Sequence, residues 1–385
     1  MKAGWQTKTL GEVCAFLNRG ISPKYLEKGG VCVLNQKCVR DHQISYEPSR
    51  RHDSFAKKVT EERFIQLGDV LVNSTGTGTL GRVAQVRVEP PESTTVDSHV
   101  TIVRPNPGKF FPDFFGYMLI TIEEAIKEAG EGCGGQTELA RSVLAEQFSV
   151  SYPTSIAEQL RIVVILDAAF DGIATAKTNA EKNLQNARAL FESHLQSVFS
   201  QRGEGWVVKT VDQISTNLDS KRVPITKNVR TSGEYPYYGA SGIVDYVADY
   251  IFDGDVLLVS EDGANLLARS TPIAFSVSGK YWVNNHAHIL KFENMAAQRF
   301  VEFYLASIKL DEYITGAAQP KLNQKALNSI PIPIPASVVE QAKVVESIES
   351  LSAEIQRLES LYQRKLAALD ELKKSLLHQA FSGAL

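Results

Sequence analysis

The sequence predicts an α+β protein in which two β-rich modules, related by a pseudo-two-fold, are separated by a long antiparallel two-helix coiled coil. Three observations predict it. The second half of the chain repeats the first, each copy begins with short apolar runs set off by turn residues, and each copy ends in a long stretch of helical periodicity.

The repeat is clearest at the ends of the two copies. Trp5 is matched by Trp206, and Pro153-Thr154-Ser155-Ile156-Ala157-Glu158-Gln159 is echoed by Pro335-Ala336-Ser337-Val338-Val339-Glu340-Gln341, a shift of 182 residues. At the same shift Ser193, Leu195, Phe199 and Ser200 fall on Ser375, Leu377, Phe381 and Ser382. The boundaries that follow are residues 1–152 for the first module, 153–203 for the first long helix, 204–334 for the second module and 335–385 for the second long helix.

Within the modules, Gly68-Asp69 turns into the apolar run Val70-Leu71-Val72, and Gly254-Asp255 turns into Val256-Leu257-Leu258-Val259. Both read as buried strands after tight turns. Val96-Asp97-Ser98-His99 corresponds to Val283-Asn284-Asn285-His286 at a shift of 187, and an amphipathic segment from Phe114 to Ala129 matches Phe300 to Tyr313 and predicts helix. The shift falls from 201 at the tryptophans to 187 at the histidines, so the first copy carries extra chain between them. A shared scaffold with different loops suits two readers of different targets.

Pro153 and Pro335 stand just before the helical stretches, where proline fits a helix start. In the second stretch Ile348, Leu351, Ile355, Leu358, Tyr362, Leu369, Leu372 and Leu376 step by three and four, with a polar interruption at Lys365. That is a heptad seam. The first stretch is weaker: Leu166, Ala169, Ile173, Ala176, Ala180, Ala187 and Leu190, with Gly203 closing it as a cap. About 40 helical residues make a rod of roughly 60 Å. In the order module, rod, module, rod, a two-fold makes the rods antiparallel and puts a module near each end.

Composition bounds the class. Of 385 residues 43% are hydrophobic and 22% charged, as in an ordinary globular protein. No apolar run approaches the ~18 residues of a membrane span, and Met1-Lys2-Ala3-Gly4-Trp5 lacks the apolar core of a signal peptide. Cys14, Cys32, Cys38 and Cys133 all lie in the first copy, which argues for reduced thiols and a cytoplasmic setting rather than a disulfide framework. Their spacing matches no zinc-ligand pattern.

The net charge of −3 is not that of a generic nucleic-acid binder, yet the charge is unevenly placed. Arg19 to Lys58 holds nine Lys/Arg against four Asp/Glu, and Asn217 to Ser232 holds Lys221, Arg222, Lys227 and Arg230 against Asp219. Two basic runs at equivalent places in two copies point to phosphate contact, with Arg50, Arg51 and Lys57 in the first and Lys221 and Arg222 in the second.

Two motifs mislead. Gly76-Thr77-Gly78-Thr79-Leu80-Gly81 fits a dinucleotide or kinase glycine loop, but the chain continues Arg82-Val83-Ala84-Gln85-Val86-Arg87-Val88, which alternates like a strand where a helix is needed. The second copy keeps only Gly263 and Arg269 of it, so what recurs is a small-residue loop ending in Arg82 or Arg269. His286-Ala287-His288 suggests a metal, but the first copy has only His99 there and no third ligand follows at a regular spacing. No local sequence marks a Ser-His-Asp or Cys-His arrangement, a Walker loop or an Asn-Pro-Pro-Tyr/Phe tetrapeptide, so no catalytic residue and no metal site is expected.

Several strings together resemble the specificity subunit of type I restriction–modification systems. They are the opening Trp-x-x-x-x-Leu/Val (Trp5 to Leu10, Trp206 to Val211), Tyr235-Pro236-Tyr237-Tyr238-Gly239-Ala240-Ser241-Gly242, Asn284-Asn285-His286-Ala287-His288, and Gly316-Ala317-Ala318-Gln319-Pro320-Lys321-Leu322-Asn323. Ile332-Pro333-Ile334-Pro335 leading to Glu340-Gln341 completes the set. The first copy departs from it, reading Gly134-Gly135-Gln136-Thr137-Glu138-Leu139 for Ala317 to Leu322 and lacking the Tyr-Tyr-Gly-Ala-Ser-Gly string.

The resemblance implies two target-recognition domains, each reading one half of a gapped, bipartite site in double-stranded DNA. It implies helices that set the gap and dock two methyltransferase subunits, with a restriction/motor subunit joining for cleavage. The chain itself would be non-catalytic and carry no cofactor; S-adenosylmethionine would belong to the methyltransferase. Candidate base readers are Asn35, Gln36, Lys37 and Arg40 in the first module and Tyr238, Ser241, Asn265 and Lys321 in the second, with Arg82 and Arg269 contacting phosphate or base. The competing expectation is a coiled-coil scaffold holding two ligand-binding β modules that do not touch DNA.

Overall fold

The computed structural model describes residues 4–130, 137–316 and 318–385. The chain divides into two units, Met1–Asn179 with Lys365–Leu385, and Ala180–Arg364. Cys133, Gly134-Gly135-Gln136 and Ala317 lie outside the described residues.

In the first unit, Trp5–Thr9 pairs antiparallel with Ser149–Pro153, placing Trp5 opposite Pro153. The start of the module is thereby tied to its end. A four-stranded antiparallel sheet follows, in the order Cys14–Arg19, Val100–Pro105, Val70–Asn73, Val83–Gln85. A second four-stranded sheet runs Thr94–Val96, Val31–Leu34, Arg50–His52, Tyr25–Leu26, with its first two strands parallel. Val70–Asn73 is buried along its whole length, as the apolar run after Gly68-Asp69 predicts. Val83–Gln85 is a strand, so the glycine-rich loop joins two strands and has no helix to hold a pyrophosphate.

The second unit repeats this plan. Trp206–Thr210 pairs with Pro331–Pro335, with Trp206 opposite Pro335. Its antiparallel sheet is Ser215–Asn217, Ala287–Phe292, Val256–Ser260, Ala274–Val277, the same order as in the first unit. Its second sheet also has one parallel pair, Ser232–Gly239 with Lys280–Val283, here at the centre of the sheet where the first unit has it at the edge. Helix Pro112–Ile120 in one unit and Met295–Ser307 in the other cover the antiparallel sheet with Phe114 and Phe300, both fully buried.

The long helices span Ile156–Ser200 and Val338–Ser382. In the first unit the opening part of the first helix lies antiparallel to the end of the second: Arg161 reaches the carbonyl of Leu385, and Lys177 pairs with Asp370. Leu166, Leu377 and Ala380 join the module core there. In the second unit Arg188 meets Glu359 at 2.6 Å, and Leu195, Phe199, Val345 and Ile348 join that module's core. Each module is therefore covered by segments of both helices, not by its own helix alone.

Three sequence expectations need correction. Pro153 and Pro335 end strands, with the helices starting at Ile156 and Val338. Gly203 is not a left-handed cap; the first helix ends at Ser200, and the left-handed glycine is Gly205 (φ 85°), whose carbonyl accepts the N–H of Ala336. Leu190 (58% exposed) and Leu372 (46% exposed) are off the seam. The buried stripe passes instead through Ala187 and Phe191, and through Leu369, Lys373 and Leu377. The reason is periodicity: each helix takes two successive steps of four, Ala176–Ala180–Leu184 and Leu358–Tyr362–Leu366, which absorb the drift of a 3.6-residue helix against a 3.5-residue repeat. A strict heptad carried past that point lands one residue early. Ile173, Ile348 and Ile355 are buried and Leu351 and Leu358 half-buried, so they stay on the seam, as does Leu376.

Candidate nucleic-acid interface

One edge is built the same way in both modules. The N–H of Asp97 donates to the carbonyl of Leu34 (2.9 Å), and that of Asn284 to Tyr238 (3.0 Å). Asn35-Gln36-Lys37 and Gly239-Ala240-Ser241 therefore occupy one and the same structural position, although their sequences share nothing. The turn that follows the strand is tied from the neighbouring sheet by Asn73 Nδ2 to Gln36 O (2.9 Å) and by Ser260 Oγ to Ala240 O (2.5 Å). The histidine turn is shaped by its own polar residue: His99 N donates to Asp97 Oδ1 and His286 N to Asn284 Oδ1. The carbonyls of His99 and His286 then accept from Ser74 and Glu261, whose own carbonyls accept from Leu139 and Leu322. Four chain segments thus meet at one edge in each module.

In the first module Tyr25, Asn35, Gln36, Lys37, Arg50 and His99 line one concavity. The Lys37 ammonium is exposed and, among the described residues, has no ion-pair or hydrogen-bond partner. The Arg50 guanidinium lies 3.9 Å from the centre of the Tyr25 ring, a cation–π contact that fixes its direction. Asn35 is a shaping residue: Nδ2 donates to Pro48 O (2.6 Å) and Oδ1 accepts from Lys37 N (2.9 Å). Gly76 closes the glycine loop onto the same place. At φ 104° a Cβ there would lie 2.4 Å from Thr79 Oγ1 and 2.6 Å from Gln36 Oε1. Beneath the edge, burial pushes the Asp97 carboxyl above its ordinary range, against the opposing pull of the His99 N–H.

The other first-module candidates lie beside this edge in varied states. Arg40 is 3.5 Å from Asp41, Arg51 is paired with Glu92 at 2.6 Å, Lys57 donates to Ser22 O, and Arg82 donates to Gly78 O.

The second module replaces free cations by a buried ionic network. His288 is 1% exposed; Nε2 faces the carbonyl of Leu322 at 2.7 Å and Nδ1 faces Asp219 Oδ2 at 2.5 Å. A carbonyl only accepts, so Nε2 is the nitrogen that donates, to Leu322. Arg222 bonds Glu261 (2.6 Å) and the carbonyl of Ala287 (2.9 Å), and Lys321 lies 3.2 Å from Glu261. Burial works to raise the Asp219 and Glu261 carboxyls, but His288 and Arg222 outweigh it and hold both below the ordinary range. Asp219, Glu261 and His288 have the composition of a metal site, with ligand atoms within 4.8 Å of one another. With both imidazole nitrogens and both carboxylates engaged by protein groups, they form an ion-pair network. In the first module the carbonyl of Leu139 is held by Arg19 (2.7 Å), where His288 holds Leu322 in the second.

Several second-module candidates prove to be braces. Arg269, in the left-handed region at φ 51°, donates to the carbonyls of Leu305 (3.0 Å) and Ile308 (2.9 Å). Asn265 accepts from Ser270 Oγ and Thr271 N and donates to Thr271 O. The Tyr238 ring packs on Phe275 and Tyr281, and burial raises its phenol. Lys221, Ser241 and Lys321 are exposed. Sequence reasoning did not select Tyr25, His99 or His286 as site residues, although the two histidines align at one constant shift. His286 bonds Asp262 at 2.9 Å and His99 bonds Thr75 at 2.7 Å.

Comparison with known proteins places the chain by family and fold. The profile of the type I restriction modification DNA specificity domain family matches residues 2–185 and again 203–364. A putative type I restriction enzyme specificity subunit of Haemophilus influenzae is 32% identical over 183 residues, 43% of this chain and 47% of that one. The matched stretch thus spans about half the length of that curated relative. The specificity subunit of the Escherichia coli type I enzyme EcoDI is 39% identical over 66 residues, 17% of this chain and 15% of that one. The fold is that of a chain in a solved type I restriction–modification assembly (TM-score 0.80, 17% identity, 100% of this chain and 99% of that one). It is also that of the HsdS subunit from Thermoanaerobacter tengcongensis (TM-score 0.62, 16% identity, 100% and 98%).

Proposed function

Because the chain belongs to the type I restriction modification DNA specificity family, we propose that it is the DNA-reading subunit of a type I restriction–modification complex. Each module reads one half of a gapped site, and the antiparallel helices set the spacing and dock two methyltransferase subunits. Those subunits supply S-adenosylmethionine and the chemistry, and a restriction/motor subunit joins for cleavage. The observation that carries this reading is the twice-built edge: one backbone plan that presents Asn35-Gln36-Lys37 in one module and Gly239-Ala240-Ser241 in the other. A conserved frame with unrelated side chains at the same place is what two readers of different sequences require. Spacing must be stiff, since one base pair of slip rotates the second half-site by about 34–36°.

The net charge of −3 leaves phosphate attraction weak, so the isolated chain binds DNA weakly and the complex with methyltransferase binds tightly. Methylation mapping of genomic DNA from the source cell identifies the bipartite site. Lys37→Ala then weakens binding through the first half-site and lowers the salt dependence by about one counterion, with the second half-site unaffected. Equal affinity with and without the methyltransferase would overturn the reading.

A further inference from the structure

Phe55 stands alone in solvent with a relative exposure of 101%. It does so on a turn that is anything but loose. Asp53 Oδ1 accepts the N–H groups of Phe55 (2.9 Å) and Ala56 (3.0 Å). Asp53 N donates to Lys24 O, and fully buried His52 accepts from Lys24 N at Nδ1 while Nε2 faces Lys57 O at 2.8 Å. One end of the turn is therefore pinned to Lys24, next to Tyr25 of the reading concavity, and the other to His52.

Resting on the reading of the previous subsection, we infer that Phe55 is a stacking wedge that enters double-stranded DNA beside the first half-site. Charge favours DNA over an apolar protein surface. Within the turn the ring is flanked by Ser54, Ala56, Lys57 and Lys58, and Lys24 adjoins it. Among the described residues, the ammonium groups of Lys24 and Lys58 have no ion-pair partner. A ring with lysines beside it in the chain, and with the turn's carboxylate, Asp53, turned onto the N–H groups of Phe55 and Ala56, matches a base stack bordered by phosphates, whereas a protein contact of any strength needs a contiguous apolar patch. The second module has no such turn: residues 53–69 separate the strand ending at His52 from Val70, against only residues 248–255 between Val247 and Val256. The wedge acts on one half-site only.

The test uses the complex with methyltransferase and DNA bearing the mapped bipartite site, with 2-aminopurine at successive adenines in and beside each half-site. The wild-type complex brightens one position flanking a single half-site. Phe55→Ala abolishes that signal and weakens binding about tenfold with an unchanged salt slope, and Phe55→Trp restores both. Lys58→Ala instead lowers the salt slope by about one and keeps the fluorescence. Wild-type affinity and fluorescence in Phe55→Ala, or loss of methyltransferase from that variant, overturns the wedge. A wild-type complex with no preference for the bipartite site would instead overturn the DNA-reading assignment itself.

Discussion

The side-chain amide of Gln159 donates to the carbonyl of Pro153 at 2.9 Å, the bond that ties the first long helix to the last strand of its module. Gln341 makes the same bond to Pro335 at 2.7 Å, which is why a Pro and a Gln recur six residues apart at the end of both copies. The two differ in what else they hold. Gln159 Oε1 also accepts the N–H of Phe111 (2.7 Å), whereas Gln341 Oε1 is buried with no partner among the described residues, because Asn294 caps the corresponding helix itself. Gln159→Leu should therefore cost about 2–3 kcal/mol and Gln341→Leu about 1 kcal/mol, read by urea denaturation. Equal losses would refute the difference.

Asp219 and Asp97 should answer acid in opposite ways. Asp219 is held below its ordinary range in the folded state, so its contribution is present above about pH 4 and is lost as pH falls through the folded value. Asp219→Asn should destabilise the second unit by about 2–4 kcal/mol near neutrality and flatten its acid limb. Asp97 is raised by burial, so its charge opposes folding as pH rises through the folded value. Asn284 already does its job in the second module. Asp97→Asn should therefore be neutral or stabilising by about 1 kcal/mol above pH 5, checked by thermal melts across pH.

Arg269→Ala should destabilise the second unit by about 1–3 kcal/mol, because it removes the donor to Leu305 and Ile308. The salt dependence of DNA binding by the folded fraction should stay as in the wild type. A fall of one counterion in that slope, with stability unchanged, would return Arg269 to the phosphate.

Ile355→Ala should cost about 2–4 kcal/mol, since Ile355 is buried on the seam. Leu372→Asp should change stability by less than about 0.5 kcal/mol, since Leu372 is exposed. If that face docks a methyltransferase, Leu372→Asp releases the partner from a fold of unchanged stability, as pull-down and melting together would report.

Much of the fold was legible because repetition is a long-range signal carried in plain sequence. Trp5 and Pro153 face each other across paired strands and Gln159 is held by its side-chain amide, a contact that tolerates few residue types. The reading loops were legible as regions and not as residues. Arg269, Asn265 and Arg222 looked like ligand contacts because an arginine or asparagine on a loop can face either way. Which carbonyls come within reach is set by elements far along the chain, such as the end of helix Met295–Ser307. Leu190 and Leu372 were misplaced for a smaller reason, a one-residue change of step that composition does not reveal.

By itself the sequence determined the two-copy plan, the buried strands after Gly68-Asp69 and Gly254-Asp255, the two long helices and the family resemblance. Those follow from periodicity and from contacts close in register, where the chain's own order supplies the geometry. Only the tertiary structure decided that Gly239-Ala240-Ser241 stands where Asn35-Gln36-Lys37 stands, that Arg19 and His288 hold equivalent carbonyls, those of Leu139 and Leu322, and that Phe55 is held fully exposed on a hydrogen-bonded turn. Each depends on hydrogen bonds between segments far apart in sequence, and a side chain's role is settled by which partner reaches it.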